Sequence, residues 1–312
     1  MFLGALAQSI PDIDFLSALW NDTASNLLAH RGFTHSILFA GIATLFLGLL
    51  AEHYHRQHRI GYKKWLLFFG LQISVHLFLD LFNTYGTGLL EPFSHQRFSF
   101  NAMFVADPFF SIWPALGFFV LLILKRGNRK RMFWWKFAIF PSVIYLFYCS
   151  FNKLNIDREI RNSFTEQNIE AENYLTTPTP LNNWLWYIVA KEKAGFFIGY
   201  RSVFDRNKNV HYTYFPQNDH LLDTLKNHEE VQHLMRFSQG FYTVENWGDT
   251  LVFNDLRFGQ MVGWHDPKEQ FVFHYFLQHA EEANKLVVQR GRFAKWNAET
   301  TRSLVNKITG KK

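Results

Sequence analysis

Six residues of this chain have side chains and spacing suited to holding a divalent cation. Pro11-Asp12-Ile13-Asp14 sets two carboxylates two apart. His30-Arg31-Gly32-Phe33-Thr34-His35-Ser36 sets two imidazoles five apart, and His76 and Asp80 follow at helical spacing. Histidine and aspartate are residue types that hold zinc and similar ions. All three groups lie beside or inside apolar runs. Hydrocarbon disfavours ionisable side chains, so each group is a functional candidate by default. A divalent ion in such a place acidifies water and stabilises charge on a substrate oxygen, which is the chemistry of ester and phosphoester hydrolysis. Asp12, Asp14, His30, His35, His76 and Asp80 are enough for two ions with positions left for water. Arg31 could neutralise a phosphate, and His30, Arg31 and His35 are the candidates for catalytic roles.

Each group also has a plainer reading. One of Asp12 and Asp14 could cap a helix starting near Phe15, because Pro11 discourages helix at Ile10. His30 and His35 are slightly off one helical face, although Gly32 permits a bend that turns both inward. Thr34 or Ser36 could cap the helix that follows. Gln72, His76, Asp80 and Asn83 or Thr84 draw one polar stripe on an otherwise apolar helix. That stripe serves a metal, a structural hydrogen bond, or a polar contact between membrane helices. No Ser-His-Asp elbow, phosphate-binding loop or dinucleotide fingerprint competes for the chemistry.

The elements that must position these residues are four apolar runs, over 36–51, 65–82, 109–124 and 134–151. A membrane span needs roughly 17–25 residues, so the first and third borrow flanking residues. Trp65 and Trp134-Trp135 sit at run edges, as interfacial aromatics do. Arg56, Arg59, Lys63 and Lys64 lie between the first two runs, and Lys125, Arg126, Arg129, Lys130 and Arg131 between the last two. The loop 86–108 holds only Arg97. The positive-inside rule places both basic loops in the cytoplasm. Segment 1–35, loop 86–108 and everything after residue 152 are then expected outside. His76 and Asp80 fall about 17–23 Å along their helix from Trp65. All candidate ligands therefore gather at the outer surface, an outcome that the charge count did not presuppose.

The whole chain, 312 residues with a formal net charge of +6, joins two unlike parts. Residues 1–152 are dominated by large apolar side chains and read as a helical transmembrane domain carrying the site. Residues 153–312 read as a soluble α+β domain on the outer side. The single cysteine, Cys149, excludes an intramolecular disulfide, and its apolar surroundings suit a small buried side chain. The basic residues concentrate in two short loops, so no nucleic-acid partner is expected. No signal peptide is evident, since residues 2–10 are too short and lack a basic start.

In the second part, 153–172 is expected to be a polar helix leaving the membrane. Thr176-Thr177-Pro178-Thr179-Pro180 should be a stiff extended hinge. Strands are expected at 184–190, 195–204, 210–215, 240–245, 250–256 and 271–277, with a hairpin loop at 205–209. Helices are expected at 219–237 and 280–289, and the end with Lys307, Lys311 and Lys312 should be solvated. The pattern describes an antiparallel sheet with helices. Its aromatics, Trp184 and Trp186 among them, read as core. Asn182, Asn183, Asp255 and Arg257 could face the membrane site and select substrate, or make turn and strand-end hydrogen bonds.

The motifs resemble the YdjM-like family of membrane-bound, metal-dependent hydrolases, also described as LexA-regulated inner-membrane proteins. The matching pieces are Pro11-Asp12-Ile13-Asp14, His30 through Ser36, and His76-Leu77-Phe78-Leu79-Asp80 with Tyr85-Gly86-Thr87. Thr176 through Asn183 and Asn254-Asp255-Leu256-Arg257-Phe258-Gly259 look like a longer bacterial subgroup, so the likeness covers roughly residues 4–265. It implies a multi-pass protein of the bacterial inner membrane with a hydrolase activity. Family members usually open with a further helix, often beginning with an Asp-x-x-Thr-His-like segment. Here Pro11 stands ten residues after Met1, so an extra helix and ligand would be expected upstream. A weaker likeness to zinc-dependent phospholipase C and nuclease sites rests on the His-x-x-x-Asp pair. It makes zinc the expected ion, phosphoesters the first substrate class, and a small molecule or membrane lipid the partner. The alternative is a non-enzymatic membrane protein whose cluster is structural or holds metal for assembly or signalling. A transporter fits less well, because the inner halves of the spans are apolar.

Overall fold

A computed structural model of the chain describes residues 2–206, 209–277, 293 and 295–310. Lys311, Lys312, the helix expected at 280–289 and the middle of the loop expected at 205–209 lie outside the described residues. The chain forms two compact units, one of Met1–Phe100 with Leu225–Gln239, the other of Asn101–Thr224 with Gly240–Lys312.

The first unit is helical. α1 (Phe2–Ser9) leads into a 3-10 helix over Pro11–Leu19, then α2 (Thr23–Ala29) and a 3-10 turn over Phe33–His35. α3 (Ile37–Tyr54) and α4 (Tyr62–Asp80) form a helical hairpin. The hairpin closes along side chains spaced by four, Ala43, Leu47 and Ala51 on α3 against Trp65, Phe69, Ile73 and Leu77 on α4. Rows at that spacing are the ridges with which helices interdigitate. Ala7 of α1 joins the same cluster, and Gln8 Nε2 donates to Gln72 Oε1 on α4 at 3.1 Å. The row Gln72–His76–Asp80 lies one residue off the buried row Ile73–Leu77, so it borders the packed seam.

A helix from far along the sequence completes this unit. α7 (Glu229–Phe237) packs against α2. His233 Nδ1 is 3.1 Å from Ser25 Oγ, and Arg236 lies 3.4 Å from Glu91. Phe237 meets the Tyr85 ring edge to face at 5.8 Å, with the Arg97 guanidinium over its own ring. The expected helix over 219–237 is thus a 3-10 turn at Asp219–Leu222 and α7 after a break.

The second unit begins with another helical hairpin, α5 (Pro108–Ile123) and α6 (Lys130–Glu166). The two helices come closest where Gly117 meets Ala138; a Cβ on Gly117 would stand 2.4 Å from that of Ala138. Asp107 caps α5 through the Phe109 N–H at 2.8 Å and accepts from the Tyr145 hydroxyl on α6 at 2.9 Å. Burial raises the Asp107 carboxyl above its ordinary value, against the lowering effect of those hydrogen bonds.

Among the described residues two helices, Ile37–Tyr54 and Lys130–Glu166, are long and apolar enough to cross a membrane, and Pro108–Ile123 is apolar but shorter.

Past the apolar part, α6 continues unbroken into a β-rich region. Strands β1 (Asn173–Pro178), β2 (Leu185–Glu192), β3 (Gly195–Ser202) and β4 (Tyr212–Pro216) form one antiparallel sheet in chain order. The segment expected as a hinge is extended but paired, with Thr177 opposite Tyr187, so it is mostly an edge strand. Strands β5 (Tyr242–Trp247), β6 (Thr250–Gln260) and β7 (Phe271–Phe276) form a second antiparallel sheet. Alternate residues of β2 point opposite ways. Trp186, Ile188 and Ala190 pack on Ile156, Ile160 and Phe164 of α6, while Tyr187 and Val189 pack on Phe241, Leu256 and Phe271 beside the second sheet. Burial on both faces explains why β2 is apolar from Leu185 through Ala190, up to its half-buried end at Lys191-Glu192. The final helix, α8 (Ala298–Ile308), starts with a capping box at Asn297.

Candidate metal centre

Local backbone chemistry brings the ligand-type residues together. Ser36 caps α3, its hydroxyl accepting from the Phe39 N–H at 3.0 Å, which fixes His35 just ahead of the helix. Arg31 adopts a left-handed backbone (φ 56°) and Gly32 follows in a turn so tight that a Cβ would lie 3.0 Å from the Ala29 carbonyl. That turn puts His30 and His35 on two sides of Asp14. Asp14 Oδ1 is 3.2 Å from His30 Nδ1, and Oδ2 is 3.3 Å from His35 Nδ1. The same Oδ2 accepts the Arg31 N–H at 2.7 Å. Asp14 reaches inward because a 3-10 helix has three residues per turn, so Pro11, Asp14 and Ser17 share its buried face.

Asp12, His35 and His76 offer donor atoms that all lie within 4.8 Å of one another, and Asp80 lies against both imidazoles. His35 Nε2 lies 3.4 Å from Asp12 Oδ1, 3.2 Å from Asp80 Oδ2 and 3.4 Å from His76 Nε2. His76 Nε2 lies 3.5 Å from Asp12 Oδ1 and 3.4 Å from Asp80 Oδ2. A tetrahedron with arms of about 2.0–2.1 Å has edges of about 3.3–3.4 Å, so the Asp12–His35–His76 triangle, with sides of 3.4, 3.4 and 3.5 Å, has the size of one face of a zinc site. Asp80 Oδ2 is buried beside both imidazoles and makes no well-formed hydrogen bond. With the imidazoles neutral, as metal binding requires, the carboxylates of Asp12, Asp14 and Asp80 outnumber the one guanidinium, Arg31 beside Asp80, by two negative charges, which a dication balances. The donor set fits a divalent ion.

The remaining candidates stand one layer out. Asp14 holds His35 by its far nitrogen, the arrangement that fixes tautomer and ring orientation in metal sites. Arg31 is buried, with its guanidinium 3.1 Å from Asp80 Oδ1, donating to Asn83 Oδ1, and 5.4 Å from the Tyr85 ring centre. Its charge is turned onto Asp80. His30 is bonded to Asp14, stacks edge-on to Tyr85 at 5.2 Å, and keeps 36% of its side chain exposed. The geometry gathers one centre, where the six groups by count allowed two.

Electrostatics follow from these contacts. Burial would lower His35, but the carboxylates of Asp12, Asp14 and Asp80 push it up to about 10. Hydrogen bonding to His35 and His76 holds Asp12 well below the carboxylate range, against desolvation. Burial would raise Asp14, yet His30, His35 and the Arg31 N–H hold it low. Access is uneven. His35 is fully buried and His76 and Asp80 nearly so, whereas half of the Asp12 side chain, 52%, is exposed. The centre opens on the Asp12 side.

Asn182, Asn183, Asp255 and Arg257 are buried in the second unit. Asn182 Oδ1 accepts from the Trp184 and Leu185 N–H groups, and Asn183 Nδ2 donates to the Ala102 carbonyl at 2.7 Å. Arg257 makes a two-pronged ion pair with Asp255, at 3.0 and 2.6 Å. Asn83, named in the polar stripe, and Tyr85, named in the Tyr85-Gly86-Thr87 motif, turn out to hold Arg31 and His30. The short polar string Asn83-Thr84-Tyr85 after α4 was the available signal.

Residues 1–156 match the family described as YdjM inner membrane protein. The chain belongs to that family. Among relatives, the inner membrane protein YbcI of Escherichia coli (strain K12) is 34% identical over 100 residues, 31% of this chain and 56% of that protein. The uncharacterized protein YfhP of Bacillus subtilis (strain 168) is 27% identical over 216 residues, 64% of this chain and 58% of that protein. The chain thus spans somewhat over half the length of these relatives. No solved structure matches. The family match includes all six ligand-type residues, and membership agrees with the two helices apolar and long enough to cross a bilayer.

Proposed function

We propose that the protein is a multi-pass, metal-dependent hydrolase of the bacterial inner membrane, acting on phosphoesters. The group of Asp12, His35 and His76 at zinc-like spacing, with Asp80 against both imidazoles, carries this reading. A divalent ion there, zinc by the donor set, would supply activation of water and charge stabilisation on the substrate oxygen. The chain's own residues do the rest. Asp14 keeps the proton of neutral His35 on Nδ1, so that Nε2 faces the centre. Arg31 holds Asp80 in place through its other oxygen. His30, backed by Asp14 and part-exposed, is the group able to take and return a proton beside the centre. Four spans with both basic loops in the cytoplasm would put segment 1–35 and the end of α4 on the outer side, together with the chain beyond residue 152.

A second reading has an observation of its own. Asp80 Oδ2 is buried beside both imidazoles without a well-formed hydrogen bond; turned to the ion as a fourth protein donor, it would close the sphere, the pattern of structural sites, whereas catalytic sites keep a position open. On the hydrolase reading, Asp12, His35 and His76 hold the ion and the fourth position is left to water.

Metal content of the detergent-purified protein, measured beside a His76→Ala/Asp80→Ala variant, is the test. Stoichiometric metal lost in a still-folded variant supports the centre, and metal-dependent turnover of phosphodiesters or monoesters then supports the hydrolase. Absence of metal after adding ions back refutes both readings of the centre. Bound metal without turnover on any ester favours the structural one.

A further inference from the structure

The 3-10 helix that delivers Asp12 has a second face. With three residues per turn, Asp12, Phe15 and Ala18 lie in one row and Ile13, Leu16 and Leu19 in the next. Phe15 is 69% exposed and Leu19 77%, with Trp20 beside them at 70%. The exposed side of Asp12 is therefore edged by large apolar side chains. Residues 1–30 contain no lysine or arginine, so nothing in this segment favours a free polyanion. The centre also has a fixed relation to a membrane-length helix. His35 ends the turn directly before α3, which is long and apolar enough to cross a bilayer, and exposed Ile37 begins it. A scissile group held by His35 therefore sits where a span begins, which is the level of lipid headgroups.

We propose that Phe15 and Leu19, flanked by Ile13 and Trp20, form a subsite for the hydrocarbon chain of a membrane lipid. The metal centre then works on that lipid's headgroup phosphoester. The inference rests on the hydrolase reading and adds the residues that select a lipid over a water-soluble ester. Asp12 and Phe15 in one row put the headgroup and the first methylenes of one molecule on adjacent contacts.

The test uses the full chain in lipid nanodiscs, loaded with cobalt(II) so that its visible spectrum reports phosphonate binding. Methylphosphonate and dodecylphosphonate are the probes, since neither can be hydrolysed. Partition into the bilayer favours the long probe in every protein, so the comparison between proteins decides. The ratio of the two affinities should fall by about tenfold or more in Phe15→Ser/Leu19→Ser, because each methylene leaving water strengthens binding about fourfold. Methylphosphonate affinity should stay as in the wild type, which also shows that the variant is folded, and Phe15→Leu/Leu19→Ile should keep the wild-type ratio. A ratio that survives the serine substitutions overturns the subsite and leaves the strip to bulk lipid or another copy of the chain. Loss of methylphosphonate affinity in the serine variant overturns it too, because the strip would then be supporting the ligands. A cobalt spectrum with no response to either probe refutes the subsite and the hydrolase together. No cobalt spectrum at all refutes the metal centre beneath both.

Discussion

Asp14→Asn is the substitution that most directly probes how the centre is built. Asp14 Oδ2 both accepts the Arg31 N–H at 2.7 Å and faces His35 Nδ1 at 3.3 Å. An asparagine oxygen kept at that position makes both contacts without the charge that strengthens the bond to the ring, and its amide N–H faces His30. An amide N–H placed there instead opposes the Arg31 N–H and favours the tautomer with the lone pair on Nδ1, which moves the ring proton to Nε2, the atom that points at the metal. Outer-layer partners of metal-bound histidines are worth about 10–100-fold in affinity, or about 1.4–2.7 kcal/mol. Zinc affinity, measured by competition with a chromogenic chelator in detergent, should weaken within that span while stoichiometry stays the same. His76→Ala, which removes a donor outright, should lose more. Unchanged affinity in Asp14→Asn would show that Asp14 does not orient His35. Complete loss of metal would show that it is itself a ligand.

Other perturbations have equally definite outcomes. His35 is pushed up to about 10, above its ordinary 6.5, so its proton stabilises the metal-free fold fully below about pH 6.5, and that contribution is lost as pH rises through about 10. Zinc must displace this proton. Apparent affinity should therefore climb between pH 7 and 9, by about tenfold per unit for each proton displaced, and a flat profile would contradict the geometry. Gly117→Val should lower the thermal midpoint, at a cost of about 1–3 kcal/mol from overpacking against Ala138, without changing metal stoichiometry. Arg257→Met strips the partner from a fully buried Asp255 and should destabilise the β-rich unit by about 3–5 kcal/mol in chemical unfolding, again with metal content intact.

Side-chain type and spacing made the cluster legible because few uses exist for His76 and Asp80 four apart on an apolar helix, or for His35 just before another. Spacing does not separate a residue that touches the ion from one that stands behind it. Asp12 and Asp14 differ by two positions, yet the three-residue period of their helix turns one to the Nε2 atoms of His35 and His76 and the other to the far side of the His35 ring. Arg31 reads as a free cation in sequence, and only the left-handed turn at its backbone explains why it folds back onto Asp80. Most strands of the β-rich region were legible to within a few residues, since β2, β3 and β6 carry dense apolar and aromatic patterns between turn residues. The pairing of Asn173–Pro178 was not, because its closing Thr176-Thr177-Pro178, continued by Thr179-Pro180, suits an unpaired extended segment as well as an edge strand. Nor was the docking of α7. Its amphipathic pattern announces a buried face but not the helix 200 residues earlier that covers it.

That docking has a consequence for how the protein is made. The helical unit around the metal centre is discontinuous, with residues 1–100 supplying most of it and 225–239 the rest. On the ribosome, α2, Tyr85 and Glu91 emerge long before the helix they pack against. At about 5–20 residues per second, the 139 residues from 100 to 239 take roughly 7–28 s to synthesise. During that interval Tyr85 lacks Phe237 and Glu91 lacks Arg236. Maturation of the region beside His30 and Arg31 is thereby tied to translation of a segment encoded three-quarters of the way along the message.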